Sequence, residues 1–101
     1  VNPDPGSLTA YQNRIGQTFY FKVTGTVTGS LWGTKIYTAD SSLSTAAVHA
    51  GVLQNGKTGI IKVTMLPGQN SYAGTANING TSSSGYGQYP SSYRVEAVEL
   101  D

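Results

Sequence analysis

The chain has no cysteine among its 101 residues, so disulfides and thiolate metal sites are excluded and stability has to come from packing and hydrogen bonding. Charge is scarce too. Only 11% of residues are charged and the formal net charge is +1, which rules out the basic field that captures nucleic acid or acidic lipid. No apolar run is long enough to cross a bilayer, and membrane insertion is not expected. A single histidine without cysteine cannot assemble a zinc site. Asp4, Asp40, Glu96, Glu99 and Asp101 stand singly, without the close spacing that gathers oxygens around calcium. No cofactor is expected. The opening VNPDPGS lacks the charged and apolar regions of a leader peptide, and the chain is expected to be a mature or excised segment.

What is present is strand-rich. The length suits one domain with a modest core, and the polar composition, rich in Tyr, Ser, Thr, Asn and Gly, suits a secreted or surface protein. Phe19, Phe21 and Val23 alternate with Thr18, Tyr20, Lys22 and Thr24, the period of a half-buried strand. Trp32, Thr34 and Ile36 alternate with Leu31, Gly33, Lys35 and Tyr37, and the intervening Gly25–Ser30 segment reads as a hairpin making these strands antiparallel neighbours. Gly59–Leu66 is a third strand, with Ile61, Val63 and Met65 on one face and Pro67-Gly68 as its stop. A weaker strand at Tyr72–Ala76 leads to Asn79-Gly80, and Ser92–Leu100 closes the domain with Tyr93, Val95 and Ala97 on one face.

One helix interrupts the strands. Leu43, Ala46, Ala47 and Ala50 fall at i, i+3, i+4 and i+7, predicting a helix over residues 43–50. Ser41 or Ser42 supplies the N-cap, Asp40 places negative charge at the positive helix end, and Gly51 fits the left-handed position after the last turn. A helix of about two turns is unstable alone, so packing must hold it. The whole stretch from Leu31 to Gly51 resembles the core motif of the LCCL domain, a strand ending in Tyr, a Ser-rich turn, then Ala-Ala-x-His-Ala-Gly. Tyr37, Asp40, Ser41, Ser42, Ala46, Ala47, His49, Ala50 and Gly51 carry the match, which extends over residues 17–95. The resemblance implies a β-rich α+β fold in which a short central helix is wrapped by two antiparallel sheets, and a non-catalytic extracellular module. It departs from the animal pattern in lacking four cysteines.

Catalysis is not supported by the residues. His49 lies near the opposite helix end from Ser41 and Ser42, roughly 10 Å along the axis, too far for a nucleophile and its base. A structural role fits better, with Asp40 and the serines capping the helix and His49 bonded to strand backbone or to Tyr37. Asp40 and Glu96 are not brought together as a hydrolytic pair, and the glycines near Gly56 form a turn and not a phosphate loop.

Contact surfaces remain. The segment from Asn70 to Tyr93 carries Tyr72, Tyr86, Tyr89 and Tyr93 among Ser, Gly and Asn. With Trp32 these rings suit three readings: packing over a small core, a protein contact, or stacking on sugar rings. Asn79-Gly80-Thr81 matches a glycosylation sequon. Residues 1–16, with Leu8, Tyr11 and Ile15, read as an extended arm preceding a domain at 17–101. Such an arm either folds back or reaches about 50 Å to a neighbour's sheet edge. The expected function is a self-assembling or scaffold-docking structural domain, partnered by its own copies or other surface proteins. The alternative is a module that binds polysaccharide or lipopolysaccharide-type glycans.

Overall fold

In the computed structural model, which describes residues 1–98, the period-two segments become the long strands of one sheet. The strands are β1 (Asn2–Pro3), β2 (Thr18–Thr24), β3 (Gly33–Thr34), β4 (Ile36–Thr38), β5 (Thr58–Gln69), β6 (Thr75–Ile78), β7 (Thr81–Ser83) and β8 (Tyr89–Ala97), and the helix is α1 (Leu43–His49). The larger sheet has six strands in the order β1-β2-β5-β8-β4-β3; the smaller is the β6-β7 hairpin. The fold is therefore α+β and β-rich. The large sheet is mixed and not wholly antiparallel, because β1 joins β2 in parallel.

Register explains the core. Phe19 faces Val63 across β2 and β5, Phe21 faces Ile61, and Val63 and Met65 continue onto Val95 and Tyr93 of β8. Alternation sends these side chains to one face, where Phe21, Ile61, Val63, Met65 and Tyr93 are buried. The opposite face carries Tyr20, Lys62 and Glu96 side by side and stays open to water. Helix α1 meets β2 and β8 of the large sheet and β7 of the hairpin. Leu43, Ala46 and Ala47 are all buried, and the alanines leave room for close approach.

The helix has the caps its sequence requires. Ser42 is the N-cap and its Oγ accepts from the Thr45 amide, while Gly51 takes a φ of 79°. The Leu43 amide, otherwise without an intrahelical partner, donates to the Gly6 carbonyl at 2.9 Å. Asp40 sits outside the first turn, and its carboxylate accepts from Thr38 Oγ1 at 2.6 Å.

Several sequence expectations are corrected. Gly25–Ser30 is no hairpin, since the neighbours of β2 are β1 and β5. Instead that segment crosses the start of α1, where Thr26 Oγ1 pairs with Ser44 Oγ at 2.8 Å and Thr45 Oγ1 at 2.9 Å. The expected strand over 31–37 is folded on itself: Lys35, at a φ of 67°, turns the chain so that Thr34 faces Ile36. Pro67-Gly68 does not stop β5. Beyond Met65 the strand has only β8 beside it, so the missing Pro67 N–H removes no ladder bond on the β2 side. The weak strand lies at Thr75–Ile78 and not at 72–76, and β8 begins at Tyr89. The expected end of that last strand at Leu100 lies outside the described residues, as do Glu99 and Asp101.

Of the two courses open to residues 1–16 the structure takes the fold-back one, which corrects the extended arm and the domain start at residue 17. Leu8 is fully buried in the core, its amide donates to the Ala39 carbonyl at 2.8 Å, and Tyr11 packs edge-on against Phe19 and Phe21. Gly16 and Gln17 bond to Met65 at 2.9 and 3.0 Å, and Gln12 Oε1 accepts from Ser91 Oγ. Residues 1–16 thus fold back over their own domain because they carry a large apolar side chain that the core needs. Of the expected assembly residues, Ile15 alone is freely exposed, at 44%.

Candidate contact site

Trp32 and the tyrosines separate into a surface group and a buried group. Trp32 and Tyr86 meet edge-to-face with ring centroids 6.4 Å apart, and Tyr86 and Tyr89 meet likewise at 6.0 Å. Tyr86 is 48% exposed; Trp32 and Tyr89 are half-buried. Among the described residues the indole N–H of Trp32 and the hydroxyls of Tyr86 and Tyr89 have no protein partner, so the ring cluster carries three free polar tips. Burial, and then the negative charge of Asp40, pushes the Tyr89 hydroxyl above its ordinary pKa of 10.0.

Backbone bonds hold the ring cluster. The Trp32 amide donates to Ser41 Oγ at 3.0 Å, and Ser41 Oγ reaches back to the Trp32 carbonyl at 3.3 Å. Ser84 donates to the Leu31 carbonyl, and Tyr72 and Tyr86 exchange both main-chain bonds, closing the loop 72–86 beneath Tyr86. Asn79 and Gly80, at φ values of 55° and 92°, turn the β6-β7 hairpin at the loop's tip.

Tyr72 and Tyr93 are not surface contacts. Tyr72 is buried, its hydroxyl accepting from the Gln69 amide and donating to the Tyr89 carbonyl. Tyr93 is fully buried beside Tyr37, with its hydroxyl donating to the Ser41 carbonyl at 3.0 Å. The pleat explains this, since Tyr93 shares its face with Val95.

The motif residues form a buried polar chain. Tyr37 pairs with His49 Nδ1 at 2.9 Å, and His49 Nε2 pairs with Thr75 Oγ1 at 2.8 Å. Thr75 Oγ1 continues to Ser83 Oγ at 3.2 Å and Ser83 to Thr34 Oγ1 at 3.3 Å, and Thr34 donates to the Ala73 carbonyl at 2.9 Å. Burial lowers the His49 pKa from 6.5, and pushes Tyr37 up to about 12 against a smaller opposing effect of the Lys35 backbone. Both imidazole nitrogens are engaged, so His49 has no free lone pair with which to take a proton from a nucleophile. Thr34, Thr75 and Ser83 were not legible as partners of His49, because isolated hydroxyl residues leave no periodic signal.

Asn79 closes the other helix end. Its Nδ2 donates to the carbonyls of Val48 and His49 at 3.1 and 3.3 Å, so the atom to which a glycan would attach is already the cap of α1. Among the described residues there is no group of three or more His, Cys, Asp or Glu side chains able to hold a metal ion. No helix there is long and apolar enough to cross a membrane.

No curated protein matches the chain. The family model of the LCCL domain does, over residues 8–93, a span that takes in Leu8, the Ser-rich turn, α1, the hairpin and most of β8. LCCL domains are non-catalytic binding modules and occur in secreted proteins. With the match covering most of the chain, from the buried Leu8 to the buried Tyr93, the protein belongs to the LCCL domain family.

Proposed function

We propose that this domain is an extracellular contact module that holds a saccharide on the Trp32–Tyr86–Tyr89 ring cluster. The observation that carries the reading is the group of clustered rings whose N–H and O–H tips have no partner among the described residues. Ring faces suit the CH faces of a sugar, and the free tips suit its hydroxyls. The interplanar angles of 65° and 68° step the rings against one another. A stepped ring cluster favours a single glycan chain or chain end over the flat surface of a crystalline polysaccharide. Assembly through an N-terminal arm loses its support, because that segment is part of the core.

The test is an array of soluble and lipopolysaccharide-derived oligosaccharides probed with the wild-type chain and with Trp32→Ala, Tyr86→Ala and Tyr89→Ala. Binding should fall at least about tenfold in the Tyr86 variant, the size of a 1.4 kcal/mol loss. A Tyr93→Phe control should retain it. Silence on the array, together with concentration-dependent oligomers that Tyr86→Ala disperses, would transfer the same surface to self-association.

A further inference from the structure

His49 is the one side chain in this sequence whose ordinary pKa falls between 5 and 8, and it is only 3% exposed where α1, β4 and the β6-β7 hairpin meet. The bonds around it have a direction. The Ala73 carbonyl can only accept, so the single proton of Thr34 Oγ1 is committed there, at 2.9 Å, in preference to Thr75 Oγ1 at 3.3 Å. The sense that leaves no proton of the chain without an acceptor has Ser83 donating to Thr34, Thr75 to Ser83, and His49 Nε2–H to Thr75. Nδ1 is then the acceptor and the Tyr37 hydroxyl its donor. In this sense every proton of the chain has an acceptor, in keeping with the lack of any unpartnered buried side-chain polar atom among the described residues.

A second proton on the imidazole breaks that order. Nδ1–H would then donate to the Tyr37 oxygen across 2.9 Å, so the hydroxyl's own proton would have to turn away, and no other side chain among the described residues accepts it. The charge would also be unpaired. Tyr37 of β4 is the titratable group touching His49, and Tyr93 of β8 lies behind it with ring centroids 5.9 Å away. The inward residues of β2, Phe21 and Val23, are apolar, and β6 and β7 offer only Thr75 and Ser83 hydroxyls. The described ion pair, Arg94–Glu96, is on the exposed face. A buried cation without a counter-ion is costly, and the cheapest relief is to let water in. The wall most easily moved is the hairpin, two strands of four and three residues with mostly exposed side chains.

We propose that protonation of His49 releases the β6-β7 hairpin from α1 and so takes apart the Trp32–Tyr86 contact, making the surface acid-sensitive. The consequence for binding rests on the saccharide reading above; the conformational step does not. Coupling runs through the loop itself: Thr75 and Ser83 lie within the segment closed by Tyr72 and Tyr86, and the adjacent Ser84 bonds to Leu31, next to Trp32. Linkage gives the sign. Burial lowers the His49 pKa in the closed form, so the opened form binds the proton first and the closed form loses ground as pH falls below about 6.5.

Amide exchange of the ligand-free protein at pH 7.5 and pH 5, corrected for intrinsic rates, tests this directly. Protection at Thr75–Ser83 should fall by up to about tenfold per pH unit across the transition while Ile61–Met65 of β5 keeps its protection. Emission from Trp32, the sole tryptophan, should change over the same range. His49→Gln should remove the pH dependence, and Thr75→Val should leave the hairpin loosened at both pH values. Equal protection of the hairpin at both pH values, loss from β5 and the hairpin together, or an unchanged response in His49→Gln would overturn the proposal. If His49→Gln does not fold, the wild-type comparison and Thr75→Val decide it. None of these readings uses a glycan, so an array without binding would sink the saccharide reading and leave this step standing.

Discussion

A methyl group at Gly33 would strike the Ile36 carbonyl oxygen, and the φ of 104° there is already unfavourable for any side chain. Gly33→Ala should therefore cost about 2 kcal/mol or more, seen as a lower urea midpoint at unchanged slope. Gly87→Ala, with no atom within 4 Å of the added carbon, should stay within about 0.5 kcal/mol of wild type. Asn79 is a second sensitive position, since its amide caps the Val48 and His49 carbonyls from a φ of 55°. Asn79→Gly keeps the turn and loses the cap, at about 1 to 2 kcal/mol. Asn79→Asp should be worse, because it sets a carboxylate against two carbonyl oxygens at the negative end of α1. Thermal melts resolve the pair, since about 1 kcal/mol moves the midpoint of a domain this size by roughly 4–8 °C.

At the scale of elements, the N-terminal segment behaves as core and edge together. Removing residues 1–5 deletes the β1 pairing of Asn2 with Phe21 and Pro3 with Lys22 and the exposed bond from the Gly6 amide to Asp4, but no buried side chain, and circular dichroism should still report a folded chain. Removing residues 1–15 also takes Leu8 and Tyr11; truncating one buried leucine to alanine alone costs about 2–5 kcal/mol, a large share of the 5–15 kcal/mol typical of a domain. That deletion should fail to fold, the opposite of what a detachable arm implies. The sequence pattern carried the local elements well. The stripe from Leu43 to Ala50, the Ser42 cap, the Gly51 stop and the faces of β2 and β5 follow from nearest neighbours along the chain. Pairing did not follow, because it depends on distant segments. Nothing near Thr18–Thr24 says that its partner is Thr58–Thr64, and a Gly-rich connection of hairpin length looks the same when it crosses a helix end. The site was half legible. Tyr93 alternates in phase with Val95, which already argued for burial, whereas the company of Trp32 with Tyr86 arises only when the loop closes at Tyr72.

For the molecule as a whole, stability should be bounded on both sides by buried protons. On the acid side burial lowers the His49 pKa from 6.5, so its contribution is complete above that value and is lost as pH falls below it. On the alkaline side burial raises Tyr37 from 10.0 to about 12 and also raises Tyr93 well above 10.0. The unfolded chain then releases these phenolic protons while the folded one holds them, so stability is complete below pH 10 and falls as pH climbs from 10 toward 12, by up to about 1.4 kcal/mol per pH unit for each tyrosine. Urea midpoints measured from pH 4 to pH 11 should trace a plateau between about 6.5 and 10 with a shoulder on each side. The two shoulders come from different residues and separate by substitution. Tyr93→Phe removes one phenolic proton and leaves His49 untouched, so the alkaline limb should become shallower while the acid limb keeps its position. Tyr37→Phe removes a phenol and also the donor to Nδ1, so both limbs should move: the alkaline one flattens, and the acid one shifts to higher pH as the freed nitrogen takes a proton more readily. If Tyr37→Phe left the acid limb in place, the Tyr37 hydroxyl would not be the donor that keeps His49 neutral, and the direction assigned to the buried chain would be reversed.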